Sequence, residues 1–240
     1  MPSTRQVSRR VLFQTAAAGS AAAYFPWTEK AFANQSKNDR PLIGGIGLGG
    51  MGRGDCSNHA NFGDIVAIAD VDQKHADRAR NDPKIGKGKA ETYSDYRKVL
   101  DRNDIDIVSI ATPDHWHVKI AIEALQAGKH VFCQKPLTLT LEENQLIRNA
   151  CNKYSDQVFF IGTQQRSDRR KFLRAVNMVQ KGLLGEINHI KVGINGGSVG
   201  KPFATAPIPP NLDWDNWLGQ APVVEYIPER CHGNFRWWYE

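Results

Sequence analysis

The sequence is short of several things, and each shortage removes a class of protein. Its 240 residues hold four cysteines, Cys56, Cys133, Cys151 and Cys231, with no C-x-x-C and no Cys/His ligand spacing. Neither a disulfide framework nor a cysteine-bound metal is therefore expected; buried free thiols are, and no metal is assigned. Past the N-terminus no apolar run approaches the roughly 20 residues needed to cross a bilayer, so no integral membrane span is expected. There is no internal repeat, and no basic stripe interleaved with aromatics. The formal charge of +6 would invite nucleic acid, but half of it lies in the first 33 residues, where Arg5, Arg9, Arg10 and Lys30 face only Glu29. Elsewhere Lys84, Lys87 and Lys89, or Arg166, Arg169 and Arg170, read as solvated faces, so nucleic acid is not expected as a partner.

Residues 1–33 read as a targeting segment. Ser8-Arg9-Arg10-Val11-Leu12-Phe13 places paired arginines before apolar residues, an alanine-rich stretch follows, and Ala31-Phe32-Ala33 fits an A-x-A cleavage pattern. The order resembles a bacterial twin-arginine signal, which predicts an exported, periplasmic protein. Residues 34–40, NQSKNDR, are a polar linker.

From Pro41 to Asp72 an apolar run, PLIGGI, leads into GLGGMG, and a second run, DIVAIADVD, follows. Read as strand, turn, helix and strand, the stretch sets Gly47, Gly49 and Gly52 at G-x-G-x-x-G spacing, with Gly50 and Met51 between them at the helix start. Gly47 allows the tight turn, Gly49 leaves no Cβ in the way of a pyrophosphate, and Gly52 lets the helix pack close to the sheet. The diphosphate then meets the unpaired N–H groups of a helix N-terminus. Asp70 ends the second strand about 20 residues on, where a carboxylate accepts hydrogen bonds from adenosine ribose hydroxyls. An acid there repels a 2′-phosphate, so NAD is favoured over NADP. Asp72 is a neighbouring candidate.

The rest of the first 162 residues alternates helix with strand. Helix is expected from about Gly50 to His59, strand from Asp64 to Asp70, helix from Gln73 to Arg80 and loop over 81–90. Ser94 is placed to cap the next helix. The β-branched run 104–112 reads as a strand covered on both faces, stopped by Pro113. A helix over 114–127, a strand opening HVFC, the helix LEENQLIRNACNKY and the strand QVFFIG complete a doubly wound parallel sheet over residues 41–162. Ligands bind beyond the carboxyl ends of such strands. Thr112, Pro113 and His117 follow one strand end, and Lys135 follows another. Its ammonium can hydrogen-bond a substrate hydroxyl and favour alkoxide-like charge. His117, in a helix's first turn, reads as a structural hydrogen-bonding residue before it reads as a base.

GLGGMG, ATPDHWH, AGKHVFCQKPLT and GTQQRS, in that order, resemble the Gfo/Idh/MocA oxidoreductase family, especially its exported bacterial members. The resemblance implies that Gly47, Gly49, Gly52 and Asp70 hold NAD, that Thr112, Pro113 and His117 line the nicotinamide side, and that Lys135 is the active-site lysine. One departure is Gln134, where the family has glutamate before Lys-Pro. The implied function is hydride transfer between a sugar, polyol or related hydroxyl compound and NAD. Two alternatives stand beside it: an NAD-dependent glycoside hydrolase working by transient oxidation and elimination, and a non-catalytic NAD-binding fragment.

Beyond Gly162 a basic helix is expected from a Ser167 cap to Lys181, and EINHIKVGIN reads as a strand. By resemblance, residues 163–240 open a second α/β domain with an antiparallel sheet, through which self-association is allowed. Gly196-Gly197-Ser198-Val199-Gly200 matches a nucleophile elbow in letters only, since Pro202 and the prolines after it forbid the helix that motif requires. Sugar stacking is one reading of the aromatics Trp214, Trp217, Phe235, Trp237, Trp238 and Tyr239, and core packing is preferred for most of them. No paired Asp/His motif of the kind that follows an FRWW-like stretch in the family is present, so the sequence is expected to be the front part of a longer reading frame or unable to complete the family's reaction alone.

Overall fold

A computed structural model describes residues 40–194, 196, 200 and 202–238. The arginine pair, the A-x-A pattern and the Ser198 of the elbow-like stretch lie outside these residues.

Six strands form one parallel sheet in the order β3-β2-β1-β4-β5-β6. They are β1 Leu42–Ile46, β2 Asp64–Ala69, β3 Glu91–Tyr93, β4 Ile107–Ile110, β5 His130–Gln134 and β6 Phe159–Gly162. Between them run α1 Gly50–His59, α2 Gln73–Asn81, α3 Arg97–Leu100, α4 His117–Gln126 and α5 Leu141–Lys153. The chain leaves β1 in one direction to build β2 and β3, then returns to build β4 beside β1, which makes the β1/β4 border the switch point where a crevice opens.

Alternation along the strands divides the core. Ala67, Ala69, Val108, Ile110, Val131 and Cys133 pack with residues of α3, α4 and α5. Ile43, Ile65 and Ile68 pack instead with Leu48, Cys56, Ala76 and Ala79. Burial raises the thiols of Cys56 and Cys133 to about 12, and all four cysteines are free. Helix α5 is set by a capping box in which Thr140 and Glu143 exchange bonds, a T-x-x-E signal visible in the letters. Helix α1 is different: with glycine at 50, 52 and 54, each costing about 1 kcal/mol against alanine, it forms because Gly52 and Cys56 dock on the sheet.

Several sequence expectations move. Helix α3 begins at Arg97 and the oxygen serving its first turn is Asp95 Oδ1, which accepts from Arg97 N at 2.9 Å, not the Ser94 hydroxyl. Strand β4 is shorter than 104–112, since Asp104 turns aside to an ion pair with Arg102 at 2.6 Å. A 3-10 turn, Asp114–Trp116, precedes α4. Helix α6, Phe172–Gln180, starts later than a Ser167 cap would place it, because Asp168 Oδ1 accepts from Arg170 N and Lys171 N at 3.0 and 3.1 Å and holds a turn there. Residues 186–194 form no strand: no second strand lies alongside among the described residues, so their backbone has no ladder to join, and Ile194 stands 94 % exposed.

The last third returns to the Rossmann-type sheet. Helix α7, Trp214–Leu218, and the turns Pro228–Arg230 and His232–Trp237 enclose a small core of Leu212, Trp214, Trp217, Leu218, Tyr226 and Cys231. Trp214 and Trp217 stack at 4.6 Å, as packing residues, whereas Trp237 is exposed. Asp213 N donates to Val71 O and Gln73 N to Asn211 O, both at 2.9 Å, and Asp72 bridges Leu212. The segment thereby forms a second wall over the strand ends.

Candidate active site

A cleft of about 370 Å³ opens at the carboxyl ends of β1, β2, β4 and β5. The glycine turn makes one end. Gly47 has φ +79°, and a Cβ there would stand 2.7 Å from Thr112 N; a Cβ on Gly52 would stand 1.9 Å from Gly47 O. These two glycines are required by the fold itself. Gly49 and Gly50 are not: a Cβ on Gly49 would meet nothing nearer than His75 at 3.8 Å, and one on Gly50 nothing within 4 Å. Their bare backbone, with the free N-terminus of α1 and Met51, is open to an approaching diphosphate.

Asp70 follows β2, and its side chain is 7 % exposed. Its Oδ2 accepts from Leu48 N at 2.6 Å and its Oδ1 from Asp72 N at 2.9 Å, so the carboxylate braces the glycine turn while also lining the cleft. Asp72 does something else. It caps α2, its Oδ1 accepting from Lys74 N at 2.9 Å and from Asn211 Nδ2 at 2.7 Å.

The opposite end is built by the loops after β4 and β5. Thr112 and Pro113 line it, and Thr112 Oγ1 is a buried hydroxyl without a hydrogen-bond partner. His117 is 1 % exposed, with Nδ1 2.6 Å from Pro136 O and Nε2 3.0 Å from Thr112 O. Both ring nitrogens face backbone carbonyls, so the imidazole clamps the ends of β4 and β5 together and offers no free nitrogen as a base. Lys135 is exposed on the cleft wall, and its backbone N donates to Gln134 Oε1 at 3.1 Å. Gln134 Nε2 in turn donates to Asp55 Oδ2 at 2.7 Å.

Four residues line this end beyond those the motifs assigned. Asp114 sits inside the quoted ATPDHWH stretch; burial pushes its carboxyl up, and His117, then Lys135 and Arg236, pull it partly back. Arg236 and Phe235 come from the folded-back C-terminal wall, and no spacing in the sequence could announce that approach. Tyr96, from the turn before α3, also lines the cleft and donates its hydroxyl to Glu123 at 2.5 Å. An open glycine cradle, a braced carboxylate and an orphaned hydroxyl along one cleft fit a dinucleotide.

Fold and cleft together define a dinucleotide-binding Rossmann protein. The chain belongs to the Gfo/Idh/MocA oxidoreductase family: residues 42–162 match its NAD-binding Rossmann fold, and residues 173–240 match its C-terminal alpha/beta domain. NAD is accordingly the cofactor of the fold. Among curated proteins it is similar to an alpha-N-acetylgalactosaminidase of Shewanella oneidensis, 34 % identical over 154 residues, covering 61 % of this chain and 33 % of that protein. A glycosyl hydrolase family 109 protein of Shewanella baltica is also 34 % identical, over 161 residues, covering 64 % of this chain and 34 % of the relative. Among solved structures it resembles a myo-inositol 2-dehydrogenase from Lactobacillus plantarum, with TM-score 0.56 and 28 % identity over 62 % of this chain and 43 % of the other. It also resembles a scyllo-inositol dehydrogenase from Lactobacillus casei with bound NAD(H) and scyllo-inositol, TM-score 0.55 and 26 % identity over the same shares, 62 % and 43 %. The chain thus spans about a third of the length of the curated relatives it matches.

Proposed function

We propose that the protein transfers hydride between NAD and a hydroxyl-bearing carbon of a sugar, polyol or related compound, and that it is exported to the periplasm by the twin-arginine route. The observation that carries the reaction is the placement of Lys135 and the orphaned Thr112 hydroxyl in the same cleft as the glycine cradle and Asp70. Gly49, Gly50 and the N-terminus of α1 receive the diphosphate, and Asp70 receives the adenosine ribose. When bound there, NAD supplies a two-electron hydride acceptor. Lys135 donates a hydrogen bond to the substrate hydroxyl and stabilises the negative charge that grows on its oxygen. Among the described residues, the carboxylates lining the cleft are Asp70 and Asp114, and on this reading Asp114, in the same loop as Thr112 and Pro113, takes the hydroxyl proton. His117 fixes the loops that carry Thr112 and Lys135.

The 34 % identity to a glycosidase favours a second reading, in which the same hydride step is made and then reversed around cleavage of a glycosidic bond. Incubation with NAD and a panel of inositols, hexoses and aryl glycosides separates the two. Net NADH without aglycone supports oxidation, and aglycone without net NADH supports the hydrolase. Neither product from folded, NAD-binding protein would refute both.

A further inference from the structure

Asp72, His75 and His232 lie together beside the glycine-turn end of the cleft and have no part in the hydride chemistry above. One donor atom from each lies within 4.8 Å of the other two. Asp72 and His75 are a cap and a first-turn residue of the same helix, one turn apart, and His232 arrives from the far wall. No spacing in the sequence displays the trio, which is why no metal was expected.

The three donor groups are near enough for small side-chain shifts to bring them onto one ion. Asp72 Oδ1 is held by Lys74 N at 2.9 Å and Asn211 Nδ2 at 2.7 Å, which fixes the carboxylate and leaves Oδ2 for the cluster. Oδ2 faces His232 Nε2 at 3.1 Å, close to the roughly 3.4 Å that separates two donors on a tetrahedral zinc ion. The His75 and His232 rings stand 4.4 Å apart, tilted by 54°. Asp70 Oδ2 lies 3.6 Å from His75 Nδ1, so a second carboxylate stands beside that imidazole. Asp72 is nearly buried, while the His232 side chain is 40 % exposed, so the site has rigid inner ligands and a way in from solvent.

We propose that Asp72, His75 and His232 bind one divalent transition-metal ion, of the zinc or cobalt type, with a fourth position left to water. Two imidazoles and one carboxylate suit such an ion better than calcium or magnesium, which take oxygen ligands. A tripod of three protein ligands is the number seen in open zinc sites. The ion would fasten the segment carrying His232 to the start of α2, and so fix the two walls of the cleft against each other. This does not depend on which reaction the cleft performs.

The test uses the untagged full chain, dialysed against chelator. Titration with Co²⁺, followed by its visible absorption, and with Zn²⁺ by calorimetry should give one ion per chain and a rise in Tm. His75→Ala and His232→Ala should each weaken binding roughly 10- to 100-fold and abolish the Tm rise. His232→Gln keeps a hydrogen-bond donor toward Asp72 while removing the imidazole ligand, so it separates loss of the ion from loss of docking; it should fold with unchanged circular dichroism and still lose Zn²⁺ affinity. Absence of saturable binding to the folded wild-type chain, or wild-type affinity in folded His232→Gln, would overturn the proposal.

Discussion

Gln134 Nε2 donates to Asp55 Oδ2 at 2.7 Å and so joins the end of β5 to the helix that begins at the glycine turn. Burial pushes the Asp55 carboxyl up, and this hydrogen bond pulls it partly back. The glutamate that family resemblance leads one to expect at position 134 would set two carboxylates at that separation. Gln134→Glu should therefore lower stability by about 1–3 kcal/mol, more at pH 8 than at pH 5, where one carboxyl can take up a proton. Adding Asp55→Asn should restore most of the loss. Urea melts of the four proteins in the cycle give the coupling directly, and additive losses would count against the pairing.

Lys135 is expected to act on the reaction and not on the grip for NAD. Lys135→Met should reduce turnover roughly 10²–10³-fold while leaving the Kd for NAD within a few-fold of wild type. Calorimetry with NAD, beside initial rates on whichever substrate the panel yields, checks both halves.

Asp70 should govern the choice between coenzymes and also the shape of the turn, because the same carboxylate accepts from Leu48 N. Asp70→Asn keeps the size, removes the charge, and should weaken NAD binding by about 1.5–3 kcal/mol while narrowing the preference over NADP. Paired Kd values for the two coenzymes decide it; an unchanged ratio would contradict the charge argument.

His115 carries the pH dependence that the second wall predicts. It is buried, its Nε2 is 2.9 Å from Trp217 O, and burial lowers its affinity for protons below that of a free imidazole. The bond to Trp217 O, then Asp114 beside it and Glu143, work in the opposite direction and His117 in the same one. The unfolded chain then binds more protons than the folded one as pH drops through about 6.5, so stability falls with acidification. Tm should decline between pH 7 and 5, and His115→Gln should flatten that decline.

The proposed twin-arginine export, which would carry the chain folded, predicts a cofactor acquired before export and retained afterward. Mature protein purified from the periplasm should release NAD on denaturation in near-stoichiometric amount. Protein that arrives empty and binds NAD only weakly would argue against that route.

Much of the first 162 residues could be read from the letters because parallel strands buried on both faces leave uninterrupted β-branched runs, and the turn between β1 and α1 needs glycine where glycine stands. Gly47, Gly52 and Asp70 are of that kind. His117 is legible only as a residue type near a strand end; that both its nitrogens meet carbonyls depends on the path after β5. Phe235 and Arg236 join the site through docking across more than a hundred residues, for which a single sequence carries no periodic trace, whereas Asp114 stands beside Thr112 and Pro113 at the end of β4. The expectation of a strand at 186–194 shows the same limit from the other side, since alternation proposes an element that only a neighbouring backbone can complete.

Asp72 sits at one crossing of the molecule: it caps α2, receives Asn211, bridges Leu212 and meets His232. Swinging the C-terminal wall outward would strip most of these bonds at once and disturb the first turn of α2, a cap whose loss alone costs about 1 kcal/mol. Any opening of the cleft on that side would thus be coupled to the integrity of a helix end.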